Sequence, residues 1–173
     1  DRRQRQMCIR DRGELDTFLQ VYRKMGGQYE GKSGTLRING ERVCSPVPLV
    51  ETGIYPGFPT DLQAPLMAVL AGIQGVSRIR EKIFDDRFGS ALQMRKMGAH
   101  IEITGNTAVI CGTDTLKGCT TEAGDLRGGA ALIIAALGAK GETCIRGTEF
   151  ISRGYEHICE DLEALGCRIW QRK

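Results

Sequence analysis

The segment ALQMRKMGAHI (residues 91–101) is the best indicator of the fold, because its pattern occurs three times in the 173-residue chain. In each copy the positions one, four and seven residues before a glycine are apolar, which places them on one face of a helix. A glycine at this point is typical of a helix that ends in the left-handed conformation. The glycines are Gly26, Gly98 and Gly166, and a strand is predicted to start three residues after each, at Tyr29, Ile101 and Ile169.

A second type of helix lies between these copies. It is predicted to start at Asp61-Leu62-Gln63 and again at Asp125-Leu126-Arg127. Each of these helices is followed by a strand candidate (76–79 and 143–145), and further strands are predicted at 35–38, 49–52 and 108–111. The chain therefore reads as an α/β (α+β) fold of repeated βαβαββ units with helices on one side of the sheets. The first helix type occurs three times and the second twice, which predicts two complete units after the trailing half of an incomplete first one.

The composition is that of a globular domain, with 41% hydrophobic and 26% charged residues. No apolar run approaches the length of a membrane span, and the N-terminus lacks a signal-peptide core. We therefore expect a cytoplasmic protein that does not bind a membrane.

Residues 1–12 differ from the rest of the chain in charge. They hold five of the 24 basic and two of the 21 acidic residues, so residues 13–173 are formally neutral. The string MCIRDR (7–12) resembles a translated adapter sequence from DNA-library preparation, so we expect a non-native tail at 1–12 and an authentic sequence from about Gly13. The alternative, a basic arm that binds nucleic acid, lacks support from the neutral body.

The seven cysteines form no CxxC pair, and the chain has only two histidines. This pattern favours neither a disulfide framework nor a zinc site, so no metal is expected. Cys159 and Cys167 lie within apolar patterns and are predicted to be buried thiols.

The segment ETGIYPGFPTD (51–61) is a candidate functional loop, because two prolines and two glycines stiffen it. Two interpretations of its end are open. Thr60 or Asp61 caps the next helix by accepting hydrogen bonds from its first amides. In the second interpretation, which does not exclude the first, the Asp61 carboxylate faces a cleft and accepts a proton from a substrate hydroxyl.

Three arginines, Arg87, Arg127 and Arg153, are each predicted near the N-terminus of a helix, where backbone amides also favour anions. Singly, each is explained by a surface ion pair. Together, at equivalent corners of repeated units, they suggest one site for phosphate or carboxylate.

Four segments occur in the order and spacing of one enzyme family: 50–61, 86–88, 125–127 and 153–156. With them, the chain from about Leu15 to Lys173 resembles the UDP-N-acetylglucosamine 1-carboxyvinyltransferases. The resemblance implies an inside-out α/β prism built from βαβαββ units. It also implies transfer of the enolpyruvyl group of phosphoenolpyruvate to the 3-hydroxyl of UDP-N-acetylglucosamine, the first committed step of peptidoglycan biosynthesis, without a metal or organic cofactor.

The resemblance also implies roles for individual residues. Asp61 is the expected general base, and Arg127 and Arg153 are the other expected catalytic residues. Arg87 joins these two arginines in contacting phosphoenolpyruvate or the departing phosphate, and the expected neighbours of the UDP-sugar are Thr60, Ile83 and Phe84. The family's N-terminal lysine–asparagine pair and its reactive loop cysteine have no counterpart here, which predicts that an N-terminal domain is missing and that this chain alone is inactive.

Three other functions remain open from the residues. A transferase acting on shikimate 3-phosphate shares the prism fold, but segment 50–61 disfavours it. An RNA-binding module also uses βαβαββ units, but it needs a basic face. A stand-alone interaction domain would leave the edge of the incomplete unit exposed.

Overall fold

A computed structural model describes residues 12–32 and 35–171. Apart from Arg12, the predicted tail 1–12 lies outside the described residues. The helices and strands follow in chain order: α1 (Arg12–Lys24), β1 (Gln28–Lys32), β2 (Thr35–Asn39), β3 (Val50–Glu51), a 3₁₀ turn (Thr60–Leu62), α2 (Gln63–Ala71), β4 (Gly75–Arg80), α3 (Gly89–Lys96), β5 (His100–Thr104), β6 (Thr107–Gly112), β7 (Thr120–Glu122), α4 (Leu126–Gly138), β8 (Cys144–Arg146), α5 (Thr148–Ser152) and α6 (Ile158–Ala164).

The middle of the chain, from β3 to β6, forms one complete βαβαββ unit. Its sheet has the strand order β3-β4-β6-β5. Strand β3 is parallel to β4, as expected when a helix connects two neighbouring strands. Strand β6 is antiparallel to both β4 and β5. The predicted repeat unit is therefore confirmed.

The flanking parts are partial units. Elements α1, β1 and β2 form an αββ half with an antiparallel strand pair. Strands β7 and β8 are parallel on either side of α4 in sequence, and the short helices α5 and α6 follow. The strand predicted at Ile169 is wrong, because residues 165–171 contain no strand. The described residues thus contain one complete unit, whereas the spacing of the helices predicted two.

The three repeat glycines confirm the predicted helix ends. Gly26, Gly98 and Gly166 have φ angles of 98°, 91° and 89°, in the left-handed region where a side chain is penalised. Each lies just after helix α1, α3 or α6. The chain can therefore reverse direction after each helix without steric strain.

The hydrophobic core lies between the four-stranded sheet and helices α2, α3 and α4. Met94 and Met97 from the central copy of the repeat helix are buried there, together with Ile79 and Ile110 from the sheet. Full burial of one such side chain contributes about 1.5–3 kcal/mol. The third copy differs, because Leu165, at the position of Met97, is 78% exposed.

Cys159 and Cys167 are free thiols, but they are only partly buried, so the prediction of buried thiols was wrong in degree. The reason is that helix α6, which packs against a small cluster of three buried residues, has no fully buried residue of its own. Among the described helices, none has both the length and the apolar character that a membrane crossing requires.

Candidate active site

The loop between β3 and α2 is stiffened by hydrogen bonds across its base. The Gly53 amide donates to the Phe58 carbonyl at 3.0 Å, and the Gly57 amide donates to the Ile54 carbonyl at 2.7 Å. A Cβ atom on Gly57 would lie 2.8 Å from the Cα of Gly53, so the two sides of the loop approach so closely that only glycine fits at this position. Phe58 is buried in the core and anchors the loop, whereas Ile54 at its tip is 85% exposed.

Asp61 follows this loop but does not cap the helix. A 3₁₀ turn, Thr60–Leu62, precedes α2, and neither it nor α2 has a side-chain cap. The capping interpretation of Thr60 and Asp61 was therefore wrong: the extra turn moves both side chains away from the first amides of α2. Instead, Asp61 accepts a hydrogen bond from Arg87 on Oδ1 at 2.9 Å and one from Arg127 on Oδ2 at 2.6 Å.

The two arginines lower the pKa of Asp61. The hydrogen bond from Arg127 is the largest cause, and the positive charges of both arginines add to it. Partial burial acts in the opposite direction but does not cancel this effect. Asp61 is thus held ionised while its side chain remains 52% exposed to solvent.

Arg87 is held by three contacts. Besides Asp61, its guanidinium donates to the Thr60 hydroxyl at 3.2 Å and lies over the Phe84 ring, 4.6 Å from the ring centroid. Cation–π contact and two hydrogen bonds restrict both the position and the plane of the guanidinium. Arg87 precedes α3 by two residues, as predicted.

Arg127 lies in the first turn of α4, also as predicted. That helix is capped by Asp125, whose carboxylate accepts a hydrogen bond from the Gly128 amide at 2.8 Å. The pKa of Arg127 is raised, first by its hydrogen bond to Asp61. The cap fixes the start of α4 and thereby positions Arg127 next to Asp61, which belongs to a different repeat unit.

Arg153 differs from Arg87 and Arg127 in its contacts. It was predicted near the start of a helix, but it follows the end of the short helix α5, which the sequence reasoning missed, and α6 begins only at Ile158. Its guanidinium lies 5.3 Å from the centroid of the Phe150 ring and is exposed. Within the described residues no hydrogen bond or ion pair joins it to Asp61.

Ile83 and Phe84 lie beside the cluster with exposed side chains, 37% and 52% accessible. Their backbone amides point inward and donate to one oxygen of Glu81 at 2.9 and 3.3 Å. The other oxygen of Glu81 accepts a hydrogen bond from the Thr60 hydroxyl at 2.8 Å. One carboxylate therefore contacts all three residues that were predicted to adjoin the UDP-sugar.

Glu81 was not identified from the sequence, although a signal was present. Ser77 and Ile79 face inward on β4, and Glu81 continues the same alternation, so a charged residue occupies an inward-facing position. Burial alone would raise the pKa of Glu81. Hydrogen bonds from Thr52, Ile83, Thr60 and Phe84 outweigh this effect and hold the pKa of Glu81 below its usual value.

No group of three or more histidine, cysteine, aspartate or glutamate side chains among the described residues is arranged to hold a metal ion. What the cluster offers is a half-exposed carboxylate between two guanidinium groups. Guanidinium groups bind phosphate and carboxylate, and a carboxylate accepts protons or hydrogen bonds. The cluster therefore suits a substrate that carries both anionic groups and a hydroxyl.

The family of the chain follows from a comparison with family models. The model described as EPSP synthase (3-phosphoshikimate 1-carboxyvinyltransferase) matches residues 8–162. The chain belongs to the EPSP synthase family.

Individual relatives within the EPSP synthase family agree with the resemblance seen in the sequence. The chain is 40% identical over 157 residues to a protein of Desulfofundulus thermocisternus named UDP-N-acetylglucosamine 1-carboxyvinyltransferase, covering 91% of this chain and 64% of the relative. It is 43% identical over 157 residues to a protein of the same name from Azorhizobium caulinodans, covering 90% of this chain and 36% of the relative. The chain thus spans only part of the length of these relatives.

Solved structures confirm the enolpyruvate transferase-like fold. The enolpyruvyl transferase NikO from Streptomyces tendae superposes with a TM-score of 0.78 at 26% identity, covering 89% of this chain and 36% of NikO. EPSP synthase from Acinetobacter baumannii superposes with a TM-score of 0.62 at 25% identity, covering 75% of this chain and 31% of that protein.

Proposed function

We propose that this chain forms part of an enolpyruvyl transferase that joins phosphoenolpyruvate to the 3-hydroxyl of UDP-N-acetylglucosamine. The observation that carries the proposal is the Asp61 carboxylate held between Arg87 and Arg127 at the end of the loop 51–61. The names of the relatives with about 40% identity support this choice of substrates. Such an enzyme would act in the cytoplasm, in the first committed step of peptidoglycan biosynthesis.

In the proposed reaction, Asp61 accepts the proton of the sugar hydroxyl while the hydroxyl oxygen bonds to C2 of phosphoenolpyruvate and C3 takes a proton from an acid of the proposed N-terminal domain. The resulting tetrahedral intermediate then returns a C3 proton to that group as the C2–O bond to phosphate breaks, and the phosphate leaves with the proton held by Asp61, which leaves the enolpyruvyl ether. Arg87 and Arg127 offset the negative charge of phosphoenolpyruvate and of the departing phosphate. No metal or organic cofactor takes part in these steps.

The ion pairs of Asp61 explain how a carboxylate with a lowered pKa acts as a base. An anionic substrate competes for the guanidinium hydrogen bonds of Arg87 and Arg127. As those bonds turn toward the substrate, the causes that lower the pKa of Asp61 weaken and its basicity rises. The substrate thus activates the base at the moment when the sugar hydroxyl is present.

Arg153 is proposed to join the site when substrate binds. Its exposed guanidinium is held by an aromatic contact rather than by a carboxylate, so turning toward an anion breaks no ion pair within the described residues. The remaining groups of the site are proposed to come from an N-terminal domain of the same protein. Domain closure would bring the two parts together and exclude water.

The test is a hybrid enzyme in which residues 13–173 replace the corresponding segment of the Azorhizobium caulinodans relative. We expect it to release phosphate from phosphoenolpyruvate with UDP-N-acetylglucosamine as acceptor and not with shikimate 3-phosphate. Release with shikimate 3-phosphate alone would overturn the assignment. This second acceptor is tested because the family description and the Acinetobacter baumannii structure both name EPSP synthase.

The 173-residue chain by itself is expected to release no phosphate and to bind UDP-N-acetylglucosamine only weakly, because it supplies only part of the site. Isothermal titration measures this binding. Tight binding by the isolated chain would contradict the proposal that the site is shared.

A further inference from the structure

Glu81 lies under the candidate site, yet none of the expected roles includes it. Its side chain is almost completely buried, with 1% relative exposure. Its own backbone amide donates to the Asn106 carbonyl at 2.8 Å, which fixes Glu81 to the turn between β5 and β6. Burying a carboxylate destabilises the fold unless the carboxylate is hydrogen-bonded. A buried glutamate at this point therefore suggests a specific role.

The hydrogen bonds of Glu81 join two separate segments. One oxygen accepts from the Thr52 hydroxyl at 2.7 Å and from the amides of Ile83 and Phe84, and the other accepts from Thr60 at 2.8 Å. Thr52 and Thr60 flank the loop that leads to Asp61. Ile83 and Phe84 belong to the segment that leads to Arg87.

Thr60 connects Glu81 to Arg87 and Asp61 through hydrogen bonds. Because its hydroxyl donates its only proton to Glu81, its lone pairs are free to accept a hydrogen bond from Arg87, which lies 3.2 Å away. Arg87 in turn donates to Asp61, which also accepts from Arg127. Negative and positive groups therefore alternate along the chain of contacts from Glu81 through Arg87 and Asp61 to Arg127.

We propose that Glu81 is a positioning residue that acts through Thr60 to hold the Arg87 guanidinium against Asp61. The carboxylate orients the Thr60 hydroxyl and, through the two amides, places the Phe84 ring on which Arg87 lies. A neutral amide at position 81 would present a donor to Thr60, which would compete with Arg87 for the same lone pairs. The role in substrate placement rests on the proposed function, whereas the placement of Arg87 does not.

The experiment observes Arg87 directly in the 173-residue chain by ¹⁵N NMR of the arginine side chains. A guanidinium fixed at both terminal nitrogens rotates slowly and gives two resolved Nη signals. We expect resolved signals for Arg87 in the natural sequence and in Thr60→Ser, and a single averaged signal in Thr60→Val and Glu81→Gln. The exposed Arg80, whose ion pair among the described residues is with Glu51 at 3.1 Å, provides an averaged reference in the same spectrum.

Thr52→Val is the matched control, because it also removes one hydroxyl from Glu81, while the described hydrogen bonds of the Thr52 side chain go to Glu81 and the Lys82 amide and not to Arg87. We expect it to leave the Arg87 signals resolved. The proposal is overturned if Arg87 is averaged in the natural sequence, if a folded Glu81→Gln or Thr60→Val leaves it resolved, or if Thr52→Val averages it to the same degree. If Glu81→Gln fails to fold, Thr60→Val and Thr60→Ser decide the outcome.

The hybrid enzyme tests the role of Glu81 and Thr60 in substrate placement, which rests on the proposed function. There we expect Thr60→Val to raise the KM for UDP-N-acetylglucosamine and Thr60→Ser to restore it, and an unchanged KM in Thr60→Val would contradict the role in substrate placement. An inactive hybrid with the natural sequence would count against the proposed function, while the Arg87 spectrum would still decide whether Glu81 positions Arg87.

Discussion

Two equivalent helix starts use the same dipeptide for different purposes. Asp61-Leu62 leads into α2 and Asp125-Leu126 leads into α4, at matching places in neighbouring units. Asp125 caps its helix through the Gly128 amide, whereas Asp61 accepts hydrogen bonds from two arginines. One copy of the motif thus stabilises the fold, and the other is available for chemistry.

The difference arises from a few residues around the shared dipeptide. A 3₁₀ turn precedes α2, so Asp61 stands before the helix instead of at its cap. The third position differs as well: Gln63 is fully buried, whereas Arg127 reaches out to Asp61. Repeated units can therefore build a site when the aspartate of one copy does not cap its helix and an arginine of the next copy forms an ion pair with it.

The largest effect is expected from Arg127→Gln, which places in the second motif the glutamine that the first motif has at Gln63. In the hybrid enzyme we expect kcat/KM for phosphoenolpyruvate to fall by about 10²-fold, since a charge-stabilising donor is lost. Arg80→Gln, the same change at an exposed arginine, serves as the control. Steady-state phosphate release measures both, and equal values for the two variants would refute the role of Arg127.

A smaller effect concerns stability. We expect Asp125→Ala to lower the free energy of unfolding of the 173-residue chain by about 1 kcal/mol, because α4 loses its cap. Asp61→Ala should cost less, since each exposed ion pair contributes only about 0–1 kcal/mol. Urea unfolding compares the two, with Asp125→Asn as a variant that retains a capping oxygen. A larger loss from Asp61→Ala would reverse the assigned roles.

A further effect is a gain in stability at Gln63, the counterpart of Arg127. The side-chain amide of Gln63 is buried, and neither its nitrogen nor its oxygen has a hydrogen-bond partner among the described residues. We expect Gln63→Met, which is similar in length, to raise the free energy of unfolding by about 1 kcal/mol. The same urea titration measures the change, and a loss of stability would show that the amide makes a hydrogen bond of its own.

Local patterns in the sequence predicted much of the fold. The spacing of apolar residues and the glycines Gly26, Gly98 and Gly166 are local signals, and the helices and turns they indicated are present. The strand at Ile169 was predicted from the same pattern but is absent, because strand formation depends on a partner strand and not on local spacing alone. The short elements β7 and α5 carried too little periodicity to be recognised.

The candidate site was predicted less completely. Asp61, Arg87 and Arg127 are joined by hydrogen bonds, and the roles that the resemblance implies for them stay predictions. The capping interpretation of Asp61 was wrong, because an aspartate before a helix has the same local sequence in both roles. Glu81 was missed because two of its hydrogen-bond partners, Thr52 and Thr60, lie far from it in sequence. Such contacts leave only a weak trace, a charged residue at an inward-facing strand position.

The most direct test of the account compares Asp61→Asn with Asp125→Asn in the hybrid enzyme, by phosphate release at saturating phosphoenolpyruvate and UDP-N-acetylglucosamine. We expect Asp61→Asn to lower kcat by about 10²-fold or more, as for the loss of a general base, while Asp125→Asn keeps most of the activity because asparagine still caps α4. If Asp61→Asn retains the original kcat, or if the two variants lose activity equally, the division of roles between the two aspartates is wrong.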